Sequence, residues 1–387
     1  MAEKPFIPEP YPRAPLPVYL LSMIPLPPEP SFESLNPSPG AQLPALLGMD
    51  LEGFATVAKA ACLLPFAAKQ LAKWVYEKRV FDPALMTDLP KRSRELLADL
   101  IVSGTAAPLK VSESSDGTKK YLFKTASGHF IEAAYIPDPG RDGRADRATL
   151  CVSSQVGCKM GCLFCSTGKM GFHGQLSTTE ILNQIVSIPE SASLTNLVFM
   201  GMGEPMDNLD EVLGALKVIT SPWGFAMSPR RVTVSTVGVL PGLRRFLVES
   251  ECHLALSLHF PFAAERQPFM PVEGAYALPE LITTLRAHDF GGQRRLSFEY
   301  ILFEGLNDAP RHIAELTRLL RGLDCRVNLI AFHAIPDVPF VPASRERLEW
   351  FRDELERRGF TATIRASRGL DIQAACGLLS TRELEGL

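Results

Sequence analysis

Net charge is nearly absent from this 387-residue chain: 40 lysines and arginines face 43 aspartates and glutamates, leaving −3. No global field draws nucleic acid, so any such contact has to rest on local basic patches. Long apolar runs are absent too. None reaches the roughly 18 residues that span a bilayer, so no membrane partner is expected. The chain start has no basic stretch followed by an apolar run and a small-residue cleavage site, which predicts a cytoplasmic address. Thiols stay reduced there, so the 8 cysteines read as ligands or catalysts before structural disulfides. The cysteine pattern itself lacks the second CxxC pair that a structural zinc site supplies.

What is present divides the chain. Residues 1–44 are dense in proline (EPYPRAPLPVYL, PLPPEPSFESLNPSPG), which opposes helix and sheet pairing and predicts an extended or disordered arm. Residues 45–103, with FATVAKAACLLPFAAKQLAKWVYEKRV and PKRSRELLADLIV, are rich in good helix formers and predict a small helical domain. In the segment 104–147, two β-prone runs flank Ala126-Ser127-Gly128, the signature of a hairpin linker.

From residue 148 to 387 an apolar strand, a loop and an amphipathic helix alternate. The strands are ATLCVSS, TNLVFMGM, RRVTVSTV, HLALSLH, LSFEYILF and RVNLIAF. Continuous apolar runs of this kind suit parallel strands covered by helices. Ser177 and Glu180 form a capping box ahead of Ile181, Leu182 and Ile185. Leu278, Leu281, Ile282 and Leu285 repeat at helical spacing behind Pro279. Leu348, Phe351 and Leu355 do the same ahead of Gly359. Six such units predict an α/β fold: a partial (βα)6, TIM-like barrel with TATIRAS as an edge strand. Such a barrel carries its chemistry at the C-terminal strand ends. Those ends are polar or glycine-rich: the cysteine loop, Gly203-Glu204, Ser235-Thr236, Ser257-Leu258-His259, and Phe332-His333.

Cys158, Cys162 and Cys165 follow the first barrel strand as CxxxCxxC. Three thiolates so spaced can hold three irons of a [4Fe–4S] cubane and leave the fourth iron open. The arrangement resembles the radical S-adenosylmethionine (radical SAM) superfamily. That resemblance implies that SAM fills the open position and that one electron from the cluster yields a 5′-deoxyadenosyl radical. It also implies SAM contacts from Gly203 and Glu204, with Ser235 and Ser257 through His259 reaching its ribose and carboxylate.

CVSSQVGC, FCSTG, GMGEP, RRVTVSTVG, SLH and DIQAACG occur in order. Together they resemble the RlmN/Cfr family of radical SAM RNA methyltransferases over about residues 45–380. The resemblance implies methylation of adenine C2 in 23S rRNA and of an adenosine beside a tRNA anticodon. It consumes two SAM per turnover and draws electrons from a donor such as flavodoxin or ferredoxin. It implies that Cys376 becomes an S-methylcysteine intermediate, that Glu132 accepts a proton, and that Cys151 is the resolving thiol of a transient disulfide with Cys376. The Cfr-like branch, which methylates C8, is the runner-up. A radical SAM enzyme acting on protein and a non-catalytic iron–sulfur RNA-binding protein are further alternatives. His333 stands in VNLIAFHAIP where relatives place a SAM-contacting asparagine, and its imidazole can make one such hydrogen bond. Cys62, Cys252 and Cys325 lie in apolar strings and read as core or incidental cysteines. RNA contacts are expected from Lys119, Lys120 and the arginine pairs 230–231, 244–245 and 294–295, with Arg365 and Arg368. The target base has to be unstacked, which favours loops. A monomer is expected.

Overall fold

Asp50 opens the first helix, its carboxylate accepting from the Glu52 and Gly53 N–H groups at 3.1 and 3.0 Å, which satisfies two donors that no helical carbonyl reaches. The structure is a computed structural model and describes residues 43–139, 145–290, 294–336 and 338–381. The proline-rich arm, up to residue 42, lies outside the described residues.

Helix α1 (Leu51–Ala60) pairs with α2 (Ala67–Ala72), and α3 (Lys91–Leu100) follows. Between α2 and α3, Lys73–Glu77 winds as one π turn that buries Trp74, Val75 and Tyr76. The Tyr76 ring meets Phe54, Trp223 and Phe225 at 5.6–5.8 Å, and its hydroxyl donates to the Met49 carbonyl. Trp223 and Phe225 belong to the barrel, so this aromatic knot fixes the helical segment on it.

Next come β1 (Lys110–Glu113), β2 (Lys119–Lys124), β3 (Phe130–Pro139), β4 (Ala145–Cys151) and β5 (Gln155–Gly157). They are followed by α4 (Ser166–Met170), β6 (Phe172–Gln175), α5 (Thr178–Val186), β7 (Asn196–Phe199), α6 (Leu209–Thr220), β8 (Val232–Thr236), α7 (Leu240–Glu249) and β9 (His253–Ser257). The chain finishes with α8 (Ala263–Arg266), α9 (Leu278–Arg286), β10 (Leu296–Leu302), α10 (Pro310–Leu320), β11 (Cys325–Ala331), α11 (Arg345–Arg357) and β12 (Thr361–Ile364).

One sheet runs in the order β1-β2-β3-β4-β7-β8-β9-β10-β11-β12. The six expected barrel strands are all there, parallel from β4 to β11, and β12 adds a seventh parallel strand at the edge. β7 is buried along its whole length, as its unbroken apolar run requires. The Ser177–Glu180 capping box closes as read, with Glu180 accepting from the Ser177 N–H at 2.9 Å. Leu278, Leu281, Ile282 and Leu285 are the buried face of α9, and Leu348, Phe351 and Leu355 that of α11.

The hairpin turns at Ala126-Ser127-Gly128, and β3 then pairs antiparallel with β4, placing Ala134 opposite Cys151. The hairpin thus extends the barrel sheet. The small ladder of β5 with β6 was not legible as strands: each is three or four residues long, too short for an alternation to show.

Candidate active site

The β5–β6 ladder clamps the cysteine loop at its base. The Cys158 N–H donates to the Gly171 carbonyl at 2.7 Å. Gly157 has φ +70°, and a Cβ there would lie 1.9 Å from that same carbonyl oxygen, so only glycine fits. Within the loop, a Cβ on Gly168 would lie 2.8 Å from the Cys162 carbonyl. Cys162 packs into an apolar wall with Phe164, Phe260, Met270, Phe303 and Phe332. Burial pushes the Cys158 thiol up to about 12 and raises Cys162 and Cys165 as well. Thiols held neutral in this way give up their protons when a metal cation supplies the compensating charge.

All three thiols line one cavity, and Gly203, Glu204, Ser235, Ser257, His259, His333 and Cys376 line it too. Gly203 has φ +100°, and a Cβ would fall 2.5 Å from Gln155 Cβ. Gly203→Ala is therefore expected to cost at least about 1 kcal/mol and to push the neighbouring Glu204 out of place, read as a lower denaturation midpoint together with weaker SAM binding by calorimetry. Glu204 is 3% exposed. Its carboxyl accepts from Thr236 Oγ1 at 2.5 Å, Val237 N at 2.9 Å and Met206 N at 3.0 Å. Burial nevertheless holds it up to about 7, so an approaching cation would draw it into the charged form.

His259 sits at φ +54° and is kept neutral, pushed down to about 3 by burial and then by Arg266. Its Nδ1 accepts from the Ile301 N–H at 3.1 Å, which fixes the tautomer. His333 is half-buried and likewise lowered by burial. Leu258 differs from its neighbours: its side chain is wholly buried in the core and its N–H donates to the Glu299 carbonyl at 3.1 Å. It shapes the wall from behind and does not line the cavity.

Cys151 and Cys376 meet in an adjoining recess between the sheet and the C-terminal segment. Cys151 packs with Ala134, Val198 and Ala374, and burial pushes its thiol up to about 12, with Cys376 adding to the rise. Cys376 is open to solvent within the concave wall, and burial raises it too, while Arg365 opposes the rise. Arg365 lines the same recess and acts electrostatically on both. Burial works against its charge, but Glu299 and the two thiols hold the guanidinium protonated, and its Nη1 is 3.3 Å from Glu299 Oε2.

The C-terminal segment is strapped to the cysteine loop. Ser166 N donates to the Gly377 carbonyl at 2.9 Å and Thr167 Oγ1 to the Leu379 carbonyl at 2.7 Å. Glu132 lines neither recess. It stands on β3 two residues from Ala134, hence on the same face, paired with Lys120 at 2.9 Å and accepting from Ser380 N at 2.9 Å.

Several residues of the site carried no signal in the sequence. Arg266 is fully buried, paired with Glu273 at 2.6 Å, and donates to the carbonyls of Leu258, Val237 and Ser257. It ties the ends of β8 and β9 together. Asn307 donates to the His259 carbonyl at 2.8 Å. Glu299 and Arg365 line both recesses.

Residues 152–317 match the radical SAM superfamily, and residues 45–102 match the ribosomal RNA large subunit methyltransferase N-terminal domain. The chain is 55% identical over 340 residues to a probable dual-specificity RNA methyltransferase RlmN of Porphyromonas gingivalis, covering 88% of this chain and 98% of that one. It is 42% identical over 318 residues to the dual-specificity RNA methyltransferase RlmN of Syntrophobacter fumaroxidans, covering 81% and 91%. Among solved structures, a radical SAM methyltransferase from Sphaerobacter thermophilus superposes with a TM-score of 0.79 at 38% identity, covering 87% of this chain and 99% of that one. The superfamily's cofactors are a [4Fe–4S] cluster and SAM. The donor set fits them: three soft thiols on one cavity wall suit a cubane, whose irons each take one terminal ligand. Fold, thiol placement and relatives agree, and the chain belongs to the RlmN family of radical SAM RNA methyltransferases.

Proposed function

We propose that this protein methylates C2 of an adenine in 23S rRNA and, in keeping with the dual specificity named for its relatives, also an adenine beside a tRNA anticodon. The observation that carries this reading is the meeting of Cys151 and Cys376 in one recess that opens beside the three-cysteine cavity. A radical enzyme without a methyl carrier has no use for that pair.

Adenine C2 is an sp² carbon with no lone pair to attack a methyl cation, so the methyl has to be carried and delivered another way. Cys158, Cys162 and Cys165 would hold the cluster, and Gly203, Glu204, Ser235, Ser257, His259 and His333 would bind SAM. When bound, these cofactors supply the methyl group and a radical initiator. Cys376, open to solvent and facing Arg365, is the methyl acceptor, since a thiolate is the nucleophile such a transfer needs. Glu132 lines neither recess but is ion-paired with Lys120 and hydrogen-bonded to the Cys376-bearing segment through Ser380, and in this reading it takes the proton leaving adenine. With the carried carbon bonded to adenine C2 as a thioether of Cys376, Cys151 attacks the Cys376 sulfur: the S–S bond forms as the S–CH2 bond breaks, the departing carbon takes up a proton to become the methyl group, and an external reductant reopens the disulfide. Electrons come from a low-potential flavodoxin or ferredoxin. The protein acts as a cytoplasmic monomer; among the described residues no helix is long and apolar enough to cross a membrane.

The test is nucleoside analysis of unmethylated 23S rRNA and tRNA after reaction with methyl-labelled SAM. Labelled 2-methyladenosine in both is expected. Label in 8-methyladenosine would move the protein to the Cfr-like branch. An intact cluster that cleaves SAM while leaving RNA unlabelled would overturn the reading.

A further inference from the structure

The structure divides the basic residues that sequence alone leaves equivalent. Arg244 is paired with Glu280, and Arg245 with Glu249 and Asp210. Lys119 is paired with Glu190 and Glu113. These cations are already neutralised by their neighbours. Four other arginines are not. Arg147 near the start of β4, Arg231 just before β8, Arg295 just before β10 and Arg326 at the start of β11 are all exposed. Among the described residues none of the four lies within salt-bridge distance of a carboxylate; Asp138, opposite Arg147 in the ladder, makes its 3.9 Å contact with Arg368 instead.

The sheet order places these four along a single edge of the barrel, the N-terminal rim, opposite the strand ends that carry the thiols. From β4 to β11 the rim crosses five strand-to-strand spacings, about 24 Å. His253, the first residue of β9, lies among them and accepts from the Arg295 N–H at 2.8 Å. It is pushed down to about 4, by burial and then by Arg295, Arg230 and Arg294, which reports a local positive potential. Arg147 is lowered first by burial; Asp138 opposes that fall, and Arg365, Arg231 and Arg295 each add to it by a smaller amount. Guanidiniums that repel one another in the free protein are stabilised when an anion arrives, and the planar fork of arginine matches phosphate. Arg147, His253, Arg295 and Arg326 also line the recess whose far end holds Cys151 and Cys376. On β4, Arg147 and Cys151 are four residues apart, roughly 13 Å.

We propose that the N-terminal rim of the barrel, carried by Arg147, Arg231, Arg295 and Arg326, is a docking surface for the phosphate backbone of the substrate RNA. The proposal rests on the RNA-methyltransferase reading above. RNA is favoured over an acidic protein because a row of guanidiniums with no carboxylate partner among the described residues suits a repeating phosphate, Arg231 being held by Asn196 Oδ1 at 3.5 Å, and because the chain's near-zero net charge leaves this rim as a local exception.

The test uses the full-length cluster-loaded protein and in-vitro transcribed 23S rRNA, measuring the dissociation constant across a salt series. Arg295→Gln with Arg326→Gln is expected to raise Kd at least tenfold and to flatten the plot of log Kd against log salt by about two, one for each phosphate no longer held. Arg295→Lys with Arg326→Lys keeps the charge and should recover most of the slope; if the glutamine form folds poorly, Arg147→Gln with Arg231→Gln removes two other rim charges and should flatten the slope by the same amount. Arg244→Gln with Arg245→Gln removes two paired guanidiniums from α7 and should change neither quantity. If the wild type binds RNA and the glutamine variant matches it in Kd and slope, the rim proposal is wrong while the functional reading stands. If the wild type binds neither 23S rRNA nor tRNA, both fall.

Discussion

Cys376→Ala is expected to abolish methyl transfer to RNA while the cluster and SAM cleavage survive; Cys151→Ala should still accept a methyl group on Cys376 and then stall as a covalent protein–RNA adduct. The two thiols occupy one recess but different surroundings. Cys376 lies open to solvent on a loop, and its segment is held by backbone contacts that its side chain does not make: Ala374 N to the Gly369 carbonyl at 2.8 Å, and Ser166 N to the Gly377 carbonyl at 2.9 Å. Losing its sulfur therefore leaves the fold alone and removes only the carrier. Cys151 is buried among Ala134, Val198 and Ala374, so alanine there leaves a small cavity, on the order of 1 kcal/mol, against a complete block of product release. Peptide mass spectrometry after reaction with methyl-labelled SAM separates the two: no label at position 376 in the first variant, and label retained with RNA attached in the second. Methylated RNA from the Cys376→Ala protein would sink the carrier mechanism.

The largest expected effect on stability is at Arg266. Its guanidinium is fully buried, 2.6 Å from Glu273. Glu273 in turn accepts from the Leu278 N–H at 2.9 Å and so holds the start of α9. Arg266→Ala would strand the Glu273 carboxylate and leave the carbonyls of Leu258, Val237 and Ser257 without their donor. Breaking a buried pair from one side costs about 3–5 kcal/mol, read as a shift in the urea midpoint. Arg266→Met with Glu273→Met should recover part of that loss, because no unpaired charge remains, but not the part owed to the carbonyls. The residual deficit belongs to the strand ends bearing Ser235, Ser257 and His259, so SAM affinity should stay low in the double variant. Full recovery of both would mean that Arg266 is only half of an ion pair.

The strands of the barrel were legible because parallel strands covered on both faces are apolar throughout, and β7 and β9 read that way. The thiol triad was legible because its ligands are close in sequence. Glu204, Ser235, Ser257, His259 and His333 were reachable through the family resemblance and the rule that barrel chemistry sits at strand ends, and neither can tell which way a side chain turns. Leu258 was therefore taken in with them, although its side chain faces the core. Arg266 and Asn307 brace the site through contacts with backbone carbonyls, which leave no residue pattern. Arg365 was read as a phosphate contact from its charge alone. Its contact with Glu299, 66 residues away, places it beside the thiols, and no local spacing encodes that. Arg147 and Arg326 went unnoticed because neither stands beside a second arginine; it is the sheet order that lines them up.

The strapping of the C-terminal segment also sets an order for making the enzyme. The contacts that hold the methyl carrier join residues 212 and 248 positions apart, Thr167 to Leu379 and Glu132 to Ser380. The ribosome delivers Glu132, Cys151 and the three-cysteine loop long before it delivers Cys376. On the proposed mechanism a nascent chain can fold its barrel, yet it cannot start the reaction until Cys376 and the residues just after it emerge and find partners made much earlier. A premature stop short of residue 376 is therefore expected to be chemically silent toward RNA, however much of the barrel it has built.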